Sequence, residues 1–360
     1  MNTSLSQGVI VHHQTAHRAV LIIGNFLSAS GGSRSVCEDL ALRLDAAGWS
    51  VFITSMKRPK ALRLADMLST VWTKRRSYGV AQVDVYSGDA FVWAEIVCWM
   101  LQRLGKPYLL TLHGGNLPSF AQRWPQRVRR LLRSAAVVTA PSGYLLEQME
   151  PYCTSLCLLP NPIQIERYSF RLRRPAAPRL VWLRAFHKTY NPSLGPRVIA
   201  RLVQAHPDIH LTMIGPDTGD GSLQLTQRVA ADLGMADHLT IIPGIPKHEV
   251  PLWLDQHDIF INTTTVDNTP VSVMEAMACG LCVISTDVGG IPYLLKSEYN
   301  ALLVPPDDSE AMAVAIQRVL SGSDRAEQLS SNARRSVEHH DWSVVLPQWQ
   351  ALLAAVAEGK

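Results

Sequence analysis

The chain has 360 residues, which is long for one domain and comfortable for two. Its 47% hydrophobic and 18% charged residues are those of an ordinary globular protein and exclude a disordered chain. No apolar run approaches the ~20 residues of a membrane-spanning helix. The best candidate, residues 90–101, is short and contains Glu95.

Charge and cysteine usage narrow the possible partners and compartment. Residues 1–165 carry 17 Lys and Arg against 9 Asp and Glu, whereas residues 166–360 carry 17 against 21. This asymmetry indicates an anionic partner for the first half, although no nucleic-acid motif is present and nucleic acid is not favoured. Six scattered cysteines and a tail without signal-peptide features predict reduced thiols and a cytoplasmic protein.

Apolar strands alternate with amphipathic stretches along the first half, beginning with a strand, a glycine-containing loop and a helix over residues 34–47. Such alternation predicts a parallel sheet with crossover helices. The predicted strands are Ala19–Gly24, Val51–Thr54, Val83–Tyr86, Tyr108–His113 and Ala136–Thr139.

A connector rich in proline and arginine follows, and then the alternation restarts. The final stretch, residues 309–356, reads as helical with a break near 321–324. Two doubly wound Rossmann-like α/β domains facing across a cleft fit this pattern best. The predicted strands of the second half are Leu180–Leu183, His210–Ile214, Leu239–Ile242, Ile259–Asn262 and Cys282–Ser285.

Candidate binding residues follow the predicted strands, where ligands of such sheets bind. Gly31 and Gly32 end a loop whose backbone can approach a phosphate or a sugar, although a plain turn is the alternative. The loop is not G-x-G-x-x-G, and no acid suited to a ribose follows the second strand, which weakens a dinucleotide reading. His113 stands at a strand end before two glycines, and such a histidine can also be purely structural.

The most informative motif lies at a predicted helix start. Thr269 suits the N-cap, Pro270 suits the first helical position, and Gly280 suits the helix end. Free N–H groups at such a start favour a phosphate, whereas the nearby acids Asp267 and Glu275 suit sugar hydroxyls. A nucleotide sugar would satisfy both preferences; the alternative is an ordinary helix packed on a strand with an exposed glutamate.

Asp-x7-Glu followed by AMACG, a strand and DVGGIPYLL resembles the E-x7-E region of the retaining GT-B-fold glycosyltransferases of family 4. The first acid here is Asp267 rather than glutamate, which bears on the choice of donor sugar. The resemblance extends from about Val20 to Trp342 and is strongest over residues 184–305. It implies a domain over residues 1–165 that faces the acceptor, a nucleotide-sugar-binding domain over 166–340, and a helix over 341–360 that packs back on the first domain.

The resemblance also implies roles for the residues that match the family's motifs. Asp267 and His113 would orient the transferred sugar, and Glu275 would bind the ribose hydroxyls. Arg184 and Lys188 would hold the diphosphate, with His187 or Arg197 able to share the role of Lys188. Backbone contacts to the donor are implied for Gly31, Gly32, Gly215, Gly244, Asn268, Thr269, Pro270 and Val271.

The function that the resemblance implies is retaining transfer of a hexose from a nucleotide-diphosphate sugar to an acceptor hydroxyl on a glycan, a lipid-linked molecule or a small molecule. No Asp-x-Asp metal signature is present, so neither a metal nor another cofactor is expected. Alternatives are a GT-B-fold nucleotide-sugar epimerase, a catalytically inactive nucleotide-sugar-binding protein, and a two-domain nicotinamide dehydrogenase.

Three basic clusters in the first half suggest attachment to the anionic inner face of a membrane. They lie at residues 57–63, 74–76 and 123–133. The third, AQRWPQRVRRLLRS, places apolar residues near helical spacing among arginines, as in a helix that lies in a membrane interface. The same spacing is expected if those apolar residues face the domain core instead.

Overall fold

The computed structural model describes residues 18–26 and 35–359. The first domain contains a six-stranded parallel sheet of order β2-β1-β3-β4-β5-β6. Its strands are β1 Ala19–Ile23, β2 Ser50–Thr54, β3 Val80–Val85, β4 Tyr108–Leu112, β5 Val137–Ala140 and β6 Leu156–Leu158. Its helices are α1 Val36–Ala46, α2 Lys60–Thr73, α3 Asp89–Arg103, α4 Leu117–Arg123, α5 Pro125–Leu132 and α6 Gly143–Met149.

A second parallel sheet, of order β12-β11-β10-β7-β8-β9, forms the other domain. Its strands are β7 Arg179–Leu183, β8 His210–Ile214, β9 Leu239–Ile242, β10 Ile259–Asn262, β11 Cys282–Thr286 and β12 Leu302–Val304. The remaining helices are α7 Leu194–Leu202, α8 Ser222–Asp232, α9 Val250–Asp255, α10 Val271–Cys279, α11 Ile291–Leu294, α12 Ser309–Leu320, α13 Ser323–Val337 and α14 Trp342–Ala357.

The predicted two-domain α/β architecture is confirmed, and the ten predicted strands are present with ends shifted by a few residues. Central strands are recognisable in the sequence as continuous apolar runs, because both of their faces are covered. For example, every residue of β1 is buried. Strands β6 and β12 were not predicted; they have three residues each and lie at sheet edges. Strands so short carry too little apolar periodicity to be distinguished from loops.

The last helix crosses back to the first domain. Asp341 caps α14 by accepting a hydrogen bond from the Ser343 N–H at 2.8 Å, and it also accepts one from the Ile165 N–H at 3.0 Å. The two chain segments that join the domains are paired, because Ile163 exchanges backbone hydrogen bonds with the chain beside Asp341. The apolar residues of α14 pack with β1 and α1 in one core, through Trp342, Val345, Trp349, Leu353 and Val356.

The helices of the first domain divide between the two faces of its sheet. Helices α1 and α14 pack on one face, and α2 to α6 pack on the other. In the basic segment at 123–133, Val128, Leu131 and Leu132 are buried in the core beneath α5. The interpretation of this segment as a membrane-interface helix was therefore wrong, because its apolar face is already covered by protein. Among the described helices, none has the length and apolar character needed to cross a bilayer.

Candidate active site

The carboxyl ends of the two sheets face each other across a cleft. A cavity of about 440 Å³ lies between the loop after β4 in the first domain and the loops after β7 and β10 in the second. Ligands of doubly wound sheets bind at this position. The lining includes His113, Gly114, Gly115, Asn116, His187, Thr189, Tyr190, Asp267, Asn268 and Thr269.

His113 lies at the carboxyl end of β4 and lines the cleft. Its Nε2 atom is 3.0 Å from Asp84 Oδ1, and its ring stacks on Tyr86 with centroids 4.8 Å apart. Asp84 stands near the end of the neighbouring strand β3 and is 8% exposed. Two adjacent strands thus fix the position and the plane of this imidazole.

Arg184 and Asp267 form an ion pair in the cleft. The Arg184 guanidinium also stacks on Tyr190, with Cζ 4.1 Å from the ring centroid, and its Nε is buried with no hydrogen-bond partner among the described residues. Burial raises the pKa of the Asp267 carboxyl, while Arg184 and the Asn268 N–H act to lower it.

Gly215 holds the end of β8 against the Arg184 backbone. A Cβ at Gly215 would come within 1.6 Å of the Arg184 carbonyl oxygen, so only glycine fits there. Gly244, in the loop that follows the neighbouring strand β9, has a φ of 111° and is exposed. Gly215 is therefore required for the close approach of the end of β8 to the backbone of Arg184.

Lys188 occupies a different position from Arg184. Its side chain is exposed, and its backbone N–H donates to Asp220 Oδ2 at 2.8 Å. The residues beside it, His187 and Thr189, line the cleft instead. That N–H is the largest of the contacts that lower the pKa of Asp220 to about 2.

Helix α10 points its N-terminus into the cleft, but it begins one residue later than expected. Val271 is the first helical residue and Pro270 occupies the N-cap position, so Thr269 does not cap the helix. The Thr269 hydroxyl is buried without a partner among the described residues, as is the hydroxyl of Ser272 in the first turn. Gly280 ends the helix with a φ of 76°, as predicted.

Two glycines support the loop that precedes α10. A Cβ at Gly289 would lie 2.3 Å from the Asp267 carbonyl oxygen, and one at Gly290 would lie 2.0 Å from that of Asn268. The Gly290 N–H donates to the Asp267 carbonyl oxygen at 2.9 Å. From the first domain, the Ser142 hydroxyl hydrogen-bonds the Asn268 side chain. These contacts place Asp267 against the cleft.

Glu275 lies one turn into α10 and borders a second cavity, of about 840 Å³. Its carboxylate accepts a hydrogen bond from the Tyr168 hydroxyl at 2.7 Å and is 5% exposed. Burial raises the pKa of Glu275, while the Tyr168 hydrogen bond and the charge of Lys247 oppose that rise. The glutamate is therefore buried and partnered, not exposed as in the alternative reading of a plain helix.

Five of the predicted residues lie together in the structure. Four further residues that contact predicted site residues were not predicted from the sequence. His113, Arg184, Asp267, Asn268 and Thr269 belong to the cleft or its border. The predicted Gly31 and Gly32 lie outside the described residues. The missed partners are Asp84, Ser142, Tyr168 and Tyr190; the only sequence signal for Asp84 was an acid at the end of a buried strand.

No group of three or more potential metal ligands occurs in residues 18–26 and 35–359.

Comparison with solved structures identifies the fold. Over 95% of its length the chain superposes on sucrose-phosphate synthase from Thermosynechococcus elongatus, covering 100% of that chain with a TM-score of 0.76 and 17% identity. Over 94% it superposes on Anabaena HepE in complex with UDP and glucose, covering 100% of that chain with a TM-score of 0.74 and 16% identity. The protein has the GT-B glycosyltransferase fold.

Sequence comparison gives the family. Residues 165–336 match the glycosyl transferases group 1 family. It is 26% identical over 251 residues to the GDP-mannose-dependent alpha-(1-6)-phosphatidylinositol monomannoside mannosyltransferase of Mycolicibacterium smegmatis, covering 64% of this chain and 63% of that one. It is 31% identical over 184 residues to the amylovoran biosynthesis glycosyltransferase AmsK of Erwinia amylovora, covering 49% and 44%. The matches thus span less than two thirds of each curated relative.

Proposed function

We propose that the protein is a retaining glycosyltransferase that moves a hexose from a nucleotide-diphosphate sugar to an acceptor hydroxyl. The observation that carries the proposal is the meeting, in one cleft, of a helix N-terminus, an arginine and two groups suited to a sugar. These are the start of α10, Arg184, Asp267 and His113.

Unpartnered polar atoms support a diphosphate at the start of α10. Arg184 Nε and the hydroxyls of Thr269 and Ser272 are buried without partners in the described part of the chain. Such groups are costly unless a ligand or water satisfies them, and all three can donate to phosphate oxygens. The helix dipole adds a favourable field for an anion.

In the proposed reaction, the bond between the sugar and the phosphate breaks first or nearly first, giving an oxocarbenium-like sugar. Arg184 and the N–H groups at the start of α10 stabilise the charge that develops on the diphosphate. Asp267 and His113 orient the sugar, and Glu275 binds the ribose hydroxyls. The leaving phosphate accepts the proton of the attacking hydroxyl, which approaches from the same face, so no enzymic nucleophile, metal or other cofactor is required.

Lys188 keeps a smaller role in this proposal. Its exposed side chain can approach a diphosphate only from the rim of the cleft, whereas His187 lines it. Gly31, Gly32, Gly215 and Gly244 are proposed as backbone contacts to the donor.

Water as the acceptor permits a test of the stereochemistry before the natural acceptor is identified. The protein is incubated with α-linked sugar nucleotides, and proton NMR records the first anomer released, before mutarotation. Retention predicts the α-anomer. Release of the β-anomer would contradict a retaining mechanism, and formation of an isomeric sugar nucleotide would indicate the epimerase instead.

We also propose that the protein is cytoplasmic and attaches peripherally to an anionic membrane surface that carries a lipid-linked acceptor. Residues 56–133 hold 14 Lys and Arg against 4 Asp and Glu, an excess of 10 that is larger than the net excess of 8 over residues 1–165. Their helices α2 to α5 cover the face of the sheet opposite α14. The positive charge is therefore concentrated on one side of the domain.

Three tryptophans on this side of the domain are exposed and can contact the apolar part of a lipid surface, whereas the apolar side chains of α5 are buried. Trp72, Trp99 and Trp124 are 51%, 57% and 46% exposed. Each carries a guanidinium over its ring, from Arg75, Arg103 and Arg123 respectively. Tryptophan suits the boundary between lipid headgroups and acyl chains, and arginine suits anionic headgroups, so we name these six residues the Trp–Arg surface.

A further inference from the structure

Protein contacts determine the orientation of His113 in the cleft, and one of them is made by a buried acid. Asp84 Oδ1 lies 3.0 Å from His113 Nε2, and it also accepts a hydrogen bond from Gln82 Nε2 at 2.8 Å. The acid and the amide are both buried: Asp84 is 8% exposed and Gln82 is 1% exposed. The position of the carboxylate is therefore set from within β3.

The contacts of the Gln82 side chain favour one orientation of its amide, even though Oε1 is then buried without a partner among the described residues. Its nitrogen is held between Asp84 and the Thr111 hydroxyl, 2.9 Å away on β4. In the reverse orientation its oxygen would face the carboxylate, which is repulsive in a buried site. An ionised carboxylate can only accept hydrogen bonds, so Oδ1 accepts from both the amide and the histidine, and His113 Nε2 carries a proton.

This arrangement leaves Nδ1 as the ring nitrogen available to a ligand. No hydrogen-bond partner for Nδ1 is found within residues 18–26 and 35–359. Tyr86 covers one face of the ring, with planes 16° from parallel. The imidazole can therefore neither rotate freely nor exchange its two nitrogens without losing the Asp84 contact.

Gly24, at the end of β1, leaves the space that Asp84 occupies. A Cβ at Gly24 would lie 2.4 Å from Asp84 Oδ2 and 2.7 Å from Cys37 Sγ. Oδ2 is buried and has no N–H or O–H donor among the described residues, and the weakly donating Cys37 thiol is the side-chain partner beside it. The acid is therefore held mainly through Oδ1. A buried carboxylate with so few strong donors costs stability, which is consistent with its being kept for its effect on His113.

We propose that Asp84 is a positioning residue: it holds His113 in the tautomer with a proton on Nε2, so that Nδ1 meets the sugar of a donor in the cleft. The identity of that ligand rests on the proposed function, whereas the tautomer does not. A neutral Nδ1 would accept a hydrogen bond from a sugar hydroxyl, and replacing the acid would release the ring to present either nitrogen.

The tautomer is tested by long-range proton–nitrogen correlation NMR on the full chain labelled with ¹⁵N-histidine, above the titration of the histidines. His113→Gln assigns the His113 signals among the 12 histidines. The proposal predicts a protonated Nε2 and a bare Nδ1. Asp84→Asn should abolish this single state, because the amide can donate to the ring. Gly24→Ala, which leaves the acid but displaces it, should do the same.

The control is Asp220→Asn, which removes an acid 3.7 Å from His187 Nε2 and should leave the His113 signals unchanged. A wild-type His113 protonated on Nδ1, or unchanged His113 signals in a folded Asp84→Asn variant, would overturn the proposal. Both results are independent of turnover.

Kinetics then separate positioning from folding. With a sugar nucleotide that the wild type turns over, Asp84→Asn should lower kcat by about 10²-fold, the cost of a misplaced group, and change KM less. An equal loss in Asp220→Asn, or a normal kcat in Asp84→Asn, would contradict the assignment. If the wild type turns over no sugar nucleotide, the proposed function fails, but the NMR result still decides the role of Asp84.

Discussion

Arg184 and Asp267 are joined by a hydrogen-bonded ion pair at the start of α10, and Tyr190 covers the guanidinium from the other side. The arginine therefore has a fixed place before any ligand arrives, and a diphosphate in the cleft must share it with the aspartate. Pre-organisation of this kind reduces the ordering cost of binding. In the proposed complex it would also couple the phosphate contact to the sugar contact, since one loop carries Asp267 and leads into the helix.

Arg184→Ala should weaken the binding of a nucleoside diphosphate. Losing a charge-assisted hydrogen bond costs about 1.5–3 kcal/mol, which is about 10- to 150-fold in dissociation constant. Calorimetry with UDP, GDP and ADP checks this. Arg201→Ala is the matched control, because Arg201 is 47% exposed and pairs with Glu310. Unchanged binding in Arg184→Ala, or a larger loss in the control, would move the phosphate site elsewhere.

Substitutions of Asp267 should show how this acid affects the choice of sugar. Asp267→Glu restores the longer acid that the related motif carries, and it should retain activity or change the preferred sugar. Asp267→Ala should remove activity, because it also leaves the Arg184 charge without its partner. Initial rates across a panel of sugar nucleotides measure both effects. Indifference to both substitutions would show that Asp267 does not contact the donor.

Glu275→Gln should stabilise the protein at neutral pH while lowering activity. Burial raises the pKa of Glu275 above its ordinary value of 4.5, so the folded state binds the proton more tightly than the unfolded state. The resulting stabilisation is complete below pH 4.5 and is lost as pH rises through the folded-state pKa. The amide has no charge to desolvate, so the Tm advantage of Glu275→Gln should grow over that range.

Thermal unfolding of the wild type and Glu275→Gln across this pH range measures the effect. Glu310→Gln is the control, because Glu310 is an exposed acid on α12 paired with Arg201. A Tm difference for Glu275→Gln that does not vary with pH would show that Glu275 ionises as easily in the folded as in the unfolded chain.

The Trp–Arg surface should bind anionic vesicles in a salt-dependent way. Each basic residue near anionic lipid contributes about 1 kcal/mol, so the combined replacement of Trp72, Trp99 and Trp124 by alanine should weaken sedimentation without abolishing it. Replacing Arg75, Arg103 and Arg123 should reduce the salt dependence, because three of the 14 basic residues in 56–133 are then lost. Leu252→Ala, at a 66% exposed residue of the second domain, is the control. A wild type that stays in the supernatant with anionic vesicles at low salt would exclude the membrane proposal and favour a soluble acceptor.

The features of the fold that depend on local sequence pattern could be predicted. Buried parallel strands are continuous apolar runs, so the two sheets and the cleft were predictable, as was the helix end at Gly280. The Asp84–His113 and Tyr168–Glu275 pairs could not be predicted from the sequence, because their residues are 29 and 107 positions apart along the chain. Proximity of that kind depends on strand order and on the path between domains, which one sequence does not reveal.

The basic segment at 123–133 shows a second limit. An amphipathic helix has the same periodicity whether its apolar face meets a core or a lipid surface. Here Val128 lies against the core, and Arg127 reaches across to Glu95 on α3. The partner of an apolar face is decided by the neighbouring helices, and these are known only from the tertiary structure.

Donor binding tests the central claim most directly. Thermal-shift and mass-spectrometric screening of the wild type and Glu275→Ala against UDP-, GDP- and ADP-sugars measures whether the cleft takes a sugar nucleotide and whether α10 holds it. The account predicts that at least one donor stabilises the wild type and that folded Glu275→Ala, checked by circular dichroism, loses most of the shift. A wild type that binds none of these donors, or a variant that binds them equally well, would contradict it.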